Sequence, residues 1–105
     1  MKLFPKKRIS IIVESTYKEN IIKLLEKSGA SGFTLYKGIY GKGRNGIKGD
    51  YGGLGDIGMN IEIVTITSPE TAEKILFGLQ KRIDQGIIII VHVIDVYVLR
   101  DDYFS

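Results

Sequence analysis

The stretch 41–58 concentrates the chemistry of this chain. Gly41-Lys42-Gly43-Arg44 sets two cations among glycines, and eight of the 13 glycines fall between Gly41 and Gly58. Glycine peptides expose their N–H groups without side-chain obstruction, so several can converge on an oxyanion. Lysine and arginine add charge-assisted hydrogen bonds. That combination suits a phosphate. The spacing does not match the P-loop, and the run follows a strand instead of opening a helix, so the bare motif specifies anion holding and nothing narrower. Arg44 has the least structural reason to be there, because a lone arginine among glycines has little to pack against. A second group of cations, Lys2, Lys6, Lys7 and Arg8, crowds the N-terminus of a chain whose net charge is +3. It reads as a solvated tail before the first strand, with contact to a phosphate or an acidic membrane surface as the competing use.

Other chemistries are missing. With no cysteine, disulfides, thiolate catalysis and cysteine metal sites are excluded. His92 is the single histidine and sits in an apolar run, where a packed side chain is expected before a metal ligand or a base. No paired carboxylates, Ser-His-Asp set or metal cluster stands out, so a non-enzymatic protein without a metal is expected. The N-terminus does not read as a signal peptide, because Pro5 and the basic residues follow the first apolar pair. The later apolar run Ile87–Val91 is far short of the roughly 20 residues needed to span a bilayer. A cytoplasmic protein is expected.

The elements that must position these residues follow from pattern. At 105 residues one domain is expected, 1–105. Arg8–Glu14, β-branched and short, predicts a strand. Thr16 with Glu19 gives a capping box; apolar Ile21, Ile22, Leu24 and Leu25 predict a helix that ends at Gly29. Phe33–Tyr40 predicts a second strand, with Phe33 and Leu35 on one face and Thr34 and Tyr36 on the other. The loop 41–58 comes next, far longer than a hairpin needs. Met59–Thr67 predicts a third strand. Ser68 as N-cap and Pro69 at the first helical position open a second helix, with Ala72, Ile75, Leu76, Leu79 and Ile83 as its buried stripe and Gly86 as its end. Ile87–Leu99 predicts a final strand, as one piece or two, apolar on both faces. The order β-α-β-β-α-β is the α+β, ferredoxin-like arrangement. Val91 and Val93 on one face and Ile90 and Ile94 on the other leave the last strand no wet side, so self-association through the open face of the sheet is expected.

Element order and several motifs together resemble the PII signalling family, whose members place a long T-loop between strands 2 and 3. Ser31-Gly32-Phe33-Thr34 is similar to the T-G-[MY]-T that leads into strand 2 of that family. Gly41-Lys42-Gly43-Arg44 is similar to its G-x-G-R, and Asn60-Ile61-Glu62-Ile63-Val64 to its K-I-E-I-V. Arg100 stands where the family places a phosphate-binding arginine. The likeness covers nearly the whole chain. Two departures narrow it: the long B-loop with G-D-G-K is reduced to Arg82–Gly86, and the Y-R-G-A-E-Y of nitrogen-type T-loops is missing. The shortened Gln85-Gly86 turn followed by four isoleucines resembles the PII-like branch of inorganic-carbon metabolism, of the SbtB or carboxysome-associated type. The cysteine-bounded C-terminal loop of some members is absent from Arg100–Ser105.

The resemblance implies a homotrimer that binds an adenine nucleotide (ATP, ADP, AMP or cyclic AMP) in clefts between subunits, with bicarbonate as a further candidate ligand. The base would lie near Thr34 and Val64. Gly86 and Ile87 would turn backbone N–H groups to the phosphates, and Gly41, Lys42, Gly43, Arg44 and Arg100 would complete the anion site, the two arginines coming from different subunits. The loop, through Lys48, Asp50, Tyr51 and Leu54, would carry the nucleotide state to a membrane bicarbonate transporter at the inner face of the membrane, an order–disorder switch without catalysis. The competing reading is a CutA-like or structural trimer that binds a metal or only a protein partner. A nucleic-acid platform is disfavoured, because the central strands carry isoleucine and valine where stacking rings are needed.

Overall fold

The computed structural model describes residues 1–39, 41–43, 46–48 and 60–105. Strand β1 (Phe4–Glu14) leads through a 3-10 turn (Ser15–Tyr17) into α1 (Lys18–Ser28), followed by β2 (Thr34–Ile39). Two short strands, β3 (Gly41–Gly43) and β4 (Gly46–Lys48), precede β5 (Asn60–Thr67), α2 (Pro69–Asp84) and β6 (Ile90–Val98). The main sheet has the order β2-β5-β1-β6, antiparallel throughout, which is the ferredoxin-like arrangement the sequence predicts.

Both helices pack on one face. Period-2 alternation in β1 sends Ile9, Ile11 and Val13 to that face, all at 0% exposure. Register sets Ile11 beside Ile63 on one flank and Val91 on the other. Ile21 and Leu25 of α1 and Ala72, Ile75 and Leu79 of α2 close this core. The helices approach tightly at Gly78, where a Cβ would lie 2.4 Å from Leu24 Cδ1. Ser68 caps α2 as the sequence implies, its Oγ accepting from the Thr71 N–H at 3.2 Å. Ser68→Ala should therefore lower stability by about 1 kcal/mol, read as an earlier thermal midpoint with unchanged ligand binding.

Some local expectations change. Thr16 does not cap α1: Tyr17 holds the N-cap position without a side-chain bond, and Thr16 Oγ1 donates instead to Glu14 Oε1 at 3.0 Å. The intervening 3-10 turn moves the helix start past the predicted box. Gly29 does end α1, at φ 103°, with the Ala30 N–H reaching the Leu25 carbonyl. Strand β1 starts at Phe4, so Lys6, Lys7 and Arg8 lie inside the sheet and not in a solvated tail. Lys6 is 7% exposed and pairs with Asp101 at 2.9 Å, and Lys7 pairs at 2.5 Å with Asp95, its neighbour in register on β6. Pairing with β6 extends the strand through this basic run. The final strand is a single piece, and Ile87–Ile89 are a connector, with Ile89 buried against the core. Ile83 is 38% exposed, so the α2 stripe ends at Leu79. The stretch after β2 is not one open loop: β3 and β4 pair as a short ribbon, with Gly41 opposite Lys48 and Gly43 opposite Gly46.

The opposite face of the sheet carries no helix. On it Ser10 is fully buried, its Oγ donating to Glu62 Oε2 at 2.5 Å. Toward the edges it is open and largely apolar, with Ile90 40%, Ile94 48% and Tyr36 49% exposed, and His92, opposite Ser10, is exposed between the two isoleucines and not packed. This is the face expected to be covered by self-association. No helix among the described residues is long and apolar enough to cross a membrane.

Candidate functional site

Thr34 and Val64 are direct partners across the β2–β5 ladder, so their side chains share the open face. Beside them lies a groove of about 590 Å³, lined by Ser31–Thr34, Val64–Ile66 and Asp102–Phe104. Its volume falls in the range of small-molecule sites. Val64 is buried and Thr34 exposed, which gives an apolar floor with a hydroxyl at its rim. The approach to β2 is held in place by Thr65, whose Oγ1 donates to the Gly32 carbonyl at 2.7 Å. Thus both residues expected to flank a base lie at one groove.

The wall opposite the strands comes from the C-terminus. Ser31 Oγ donates to the Tyr103 carbonyl at 2.9 Å and accepts from the Ser105 N–H at 3.2 Å. Arg100 is exposed just beyond β6, its guanidinium 5.0 Å from the Tyr103 ring centroid. A second hollow, about 430 Å³, is lined by Val98–Arg100 with Tyr103 and Phe104. These two aromatics therefore stand between the groove and the surface around Arg100. The sequence reading missed them; their signal was an aromatic pair placed after the last predicted strand.

The remaining expected residues lie at the other end of the sheet. Gly41 and Lys42 follow β2 beyond Ile39, which pairs with Asn60, and Gly86 and Ile87 precede the Ile90 end of β6. Arg100 follows the Val98 end. β6 from Ile90 to Val98 is nine residues long, eight steps of about 3.3 Å, or roughly 26 Å. One subunit thus keeps Arg100 apart from Gly86–Ile87, while Thr34 and Val64 stand level with Ser10 and His92, between the two ends of β6. The amides of Gly86 and Ile87 are already engaged: at φ 101° Gly86 donates to the Ile83 carbonyl, and Ile87 to that of Arg82. They close the C-terminus of α2, so phosphate contact by these two N–H groups requires that closure to open. Arg44, Asp50, Tyr51 and Leu54 lie outside the described residues, as do the side chains of Lys42 and Lys48.

Solved structures with this architecture are related in sequence as well. CPII from Thiomonas intermedia K12, a nitrogen regulatory PII-like protein, is 29% identical in a complex with ADP, AMP and bicarbonate, with a TM-score of 0.86 over 98% of this chain and 96% of that one. Its complex with ADP and bicarbonate gives 31% identity and a TM-score of 0.84 over 99% and 98% of the two chains. A PII-like signalling protein from Thermus thermophilus is 30% identical with a TM-score of 0.77 over the full length of both. No curated protein sequence matches. The model of the nitrogen regulatory protein P-II family matches residues 6–103; with the ferredoxin-like sheet and the groove beside Thr34 and Val64 in place, the chain belongs to the P-II family.

Proposed function

We propose that this protein is a non-enzymatic PII-like sensor that binds an adenine nucleotide between subunits of a homotrimer and signals its state through residues 41–58. The observation that carries this reading is the division of the site. A base-sized groove with Arg100 lies at one end of the sheet, and the glycine-rich ribbon lies at the other. An apolar open face whose burial by a second copy would set unlike ends side by side gives the division a purpose. CPII, with the same fold, is found with ADP, AMP and bicarbonate. The base then rests against Thr34 and Val64, and Arg100 with Lys42 and Arg44 of a neighbouring copy holds the phosphates. Gly86 and Ile87 shape the turn beneath them.

Bicarbonate is the second ligand, and the partner is a membrane bicarbonate transporter met at the cytoplasmic face. Two observations favour this branch: CPII carries bicarbonate beside ADP, and the turn between α2 and β6 is short. A phosphate contact that differs between ADP and ATP or AMP biases the 41–58 segment between two arrangements, and differential affinity alone makes the switch. Lys48, Asp50, Tyr51 and Leu54 then meet the partner.

Calorimetric titration with ATP, ADP, AMP and cyclic AMP, with and without bicarbonate, tests this reading. Saturable binding of one nucleotide per subunit to a species of trimeric mass, with affinity that changes when bicarbonate is added, is the expected result. A trimer that binds none of the four overturns the sensor and leaves a structural or metal-binding assembly.

A further inference from the structure

The C-terminal segment contacts the groove in a way its length alone does not require. Five residues follow Arg100, and they are tied down at three places. Asp101 pairs with the buried Lys6. Ser31 holds the backbone at Tyr103 and Ser105. The Tyr103 ring lies against Arg100 and, edge to face at 5.2 Å, against Phe104. With the segment in place the groove still measures about 590 Å³, so the tail forms a wall and does not plug the site. Tyr103 remains 60% exposed, leaving ring surface for a ligand to cover.

We propose that Tyr103 is the stacking platform for the purine and that residues 101–105 form a clasp whose docking and nucleotide binding reinforce one another. This rests on the sensor reading above. The chemistry is that of an aromatic face and a heteroaromatic base: offset stacking is favourable and tolerant of base identity. Thr34 and Val64 offer one side of the groove and Tyr103 the other, so a flat base between them loses water from both faces. Ser31 lies in the turn before β2 and bonds the tail on both sides of Phe104, so a base that orders the β2 approach also orders the tail. Arg100 stacks on the same tyrosine, which links the base position to the cation at the strand end.

Three variants test it in the full-length protein. Tyr103→Ala is expected to weaken ADP binding about tenfold, while Tyr103→Phe stays within about twofold because the ring is kept. The chain has no tryptophan, so Tyr103→Trp supplies a single reporter whose emission ADP should quench and pyrophosphate should not. ADP binding by the parent protein with an unchanged Tyr103→Ala affinity overturns the proposal. So does a Tyr103→Trp emission that ADP leaves unmoved, which would restrict the ring to holding the tail. Failure of the parent protein to bind any of ATP, ADP, AMP and cyclic AMP removes the sensor reading first, and this inference with it.

Discussion

Ile63→Ala is expected to destabilise the subunit by about 3 kcal/mol, the middle of the range for deleting a buried isoleucine side chain. Ile63 is fully buried in β5, between Ile11 of β1 and Leu35 of β2 in register. Two flanking strands and the helix layer surround it, so little can relax into the space left behind. For a domain of this size such a loss lowers the thermal midpoint by roughly 15 °C. A shift of only a few degrees would mean that the core collapses around the cavity and that β5 is less central than its register implies. Ile94 provides the contrast. It sits on the edge strand and on the face without helices, 48% exposed in the isolated subunit. Its truncation should leave the subunit intact while loosening the assembly, visible as a stronger dependence of midpoint on protein concentration. If Ile94→Asp leaves the mass in solution unchanged, that face is not where copies meet.

The difference between these two isoleucines was partly legible in the sequence. Alternation in β1 and β5 and the helical spacing of Ile75 and Leu79 give the layer order, because a half-buried strand and an amphipathic helix each have one strong period. The apolar character of β6 on both faces gives the need for a further covering surface. What the pattern could not give was the pairing. Lys6 and Lys7 read as a tail because charge beside a terminus is most often solvated. Only the β1–β6 register sets Asp95 opposite Lys7, and only the turn beyond β6 brings Asp101 to Lys6. Thr16 and Glu19 satisfied the capping pattern, yet a 3-10 turn intervened, a choice that local sequence leaves open. Of the site, Thr34 and Val64 face one another across the β2–β5 ladder, as neighbouring predicted strands allow. Tyr103 and Phe104 were missed, since a terminal segment declares its contacts only once Ser31 is seen to hold it.

Arg100→Ala should have the larger effect on function, a loss of roughly ten- to a hundredfold in ADP affinity, the scale of a hydrogen bond to a charged group. The side chain is exposed and bonded to no carboxylate among the described residues; its contact there is the face of Tyr103. It is therefore held in position while its donor edges remain available to an anion, the arrangement an arginine fork needs. Because the group buries little in the subunit, its removal should leave the thermal midpoint and the assembly mass unchanged, which separates a binding role from a folding one. Arg100→Lys should recover only part of the affinity, since an ammonium keeps the charge but neither stacks flat on the ring nor binds two oxygens at once. Added salt should weaken ADP binding to the parent protein more steeply than to Arg100→Ala, because one screened attraction has been removed. Arg44→Ala should produce a loss of similar size. If the two arginines meet one phosphate chain across a subunit boundary, mixed oligomers carrying each substitution on separate chains should regain intact sites in part of their clefts. Recovery of ADP binding in such mixtures, at near-parent affinity and reduced stoichiometry, is the expected outcome. Its absence would mean that both arginines serve a site within one chain.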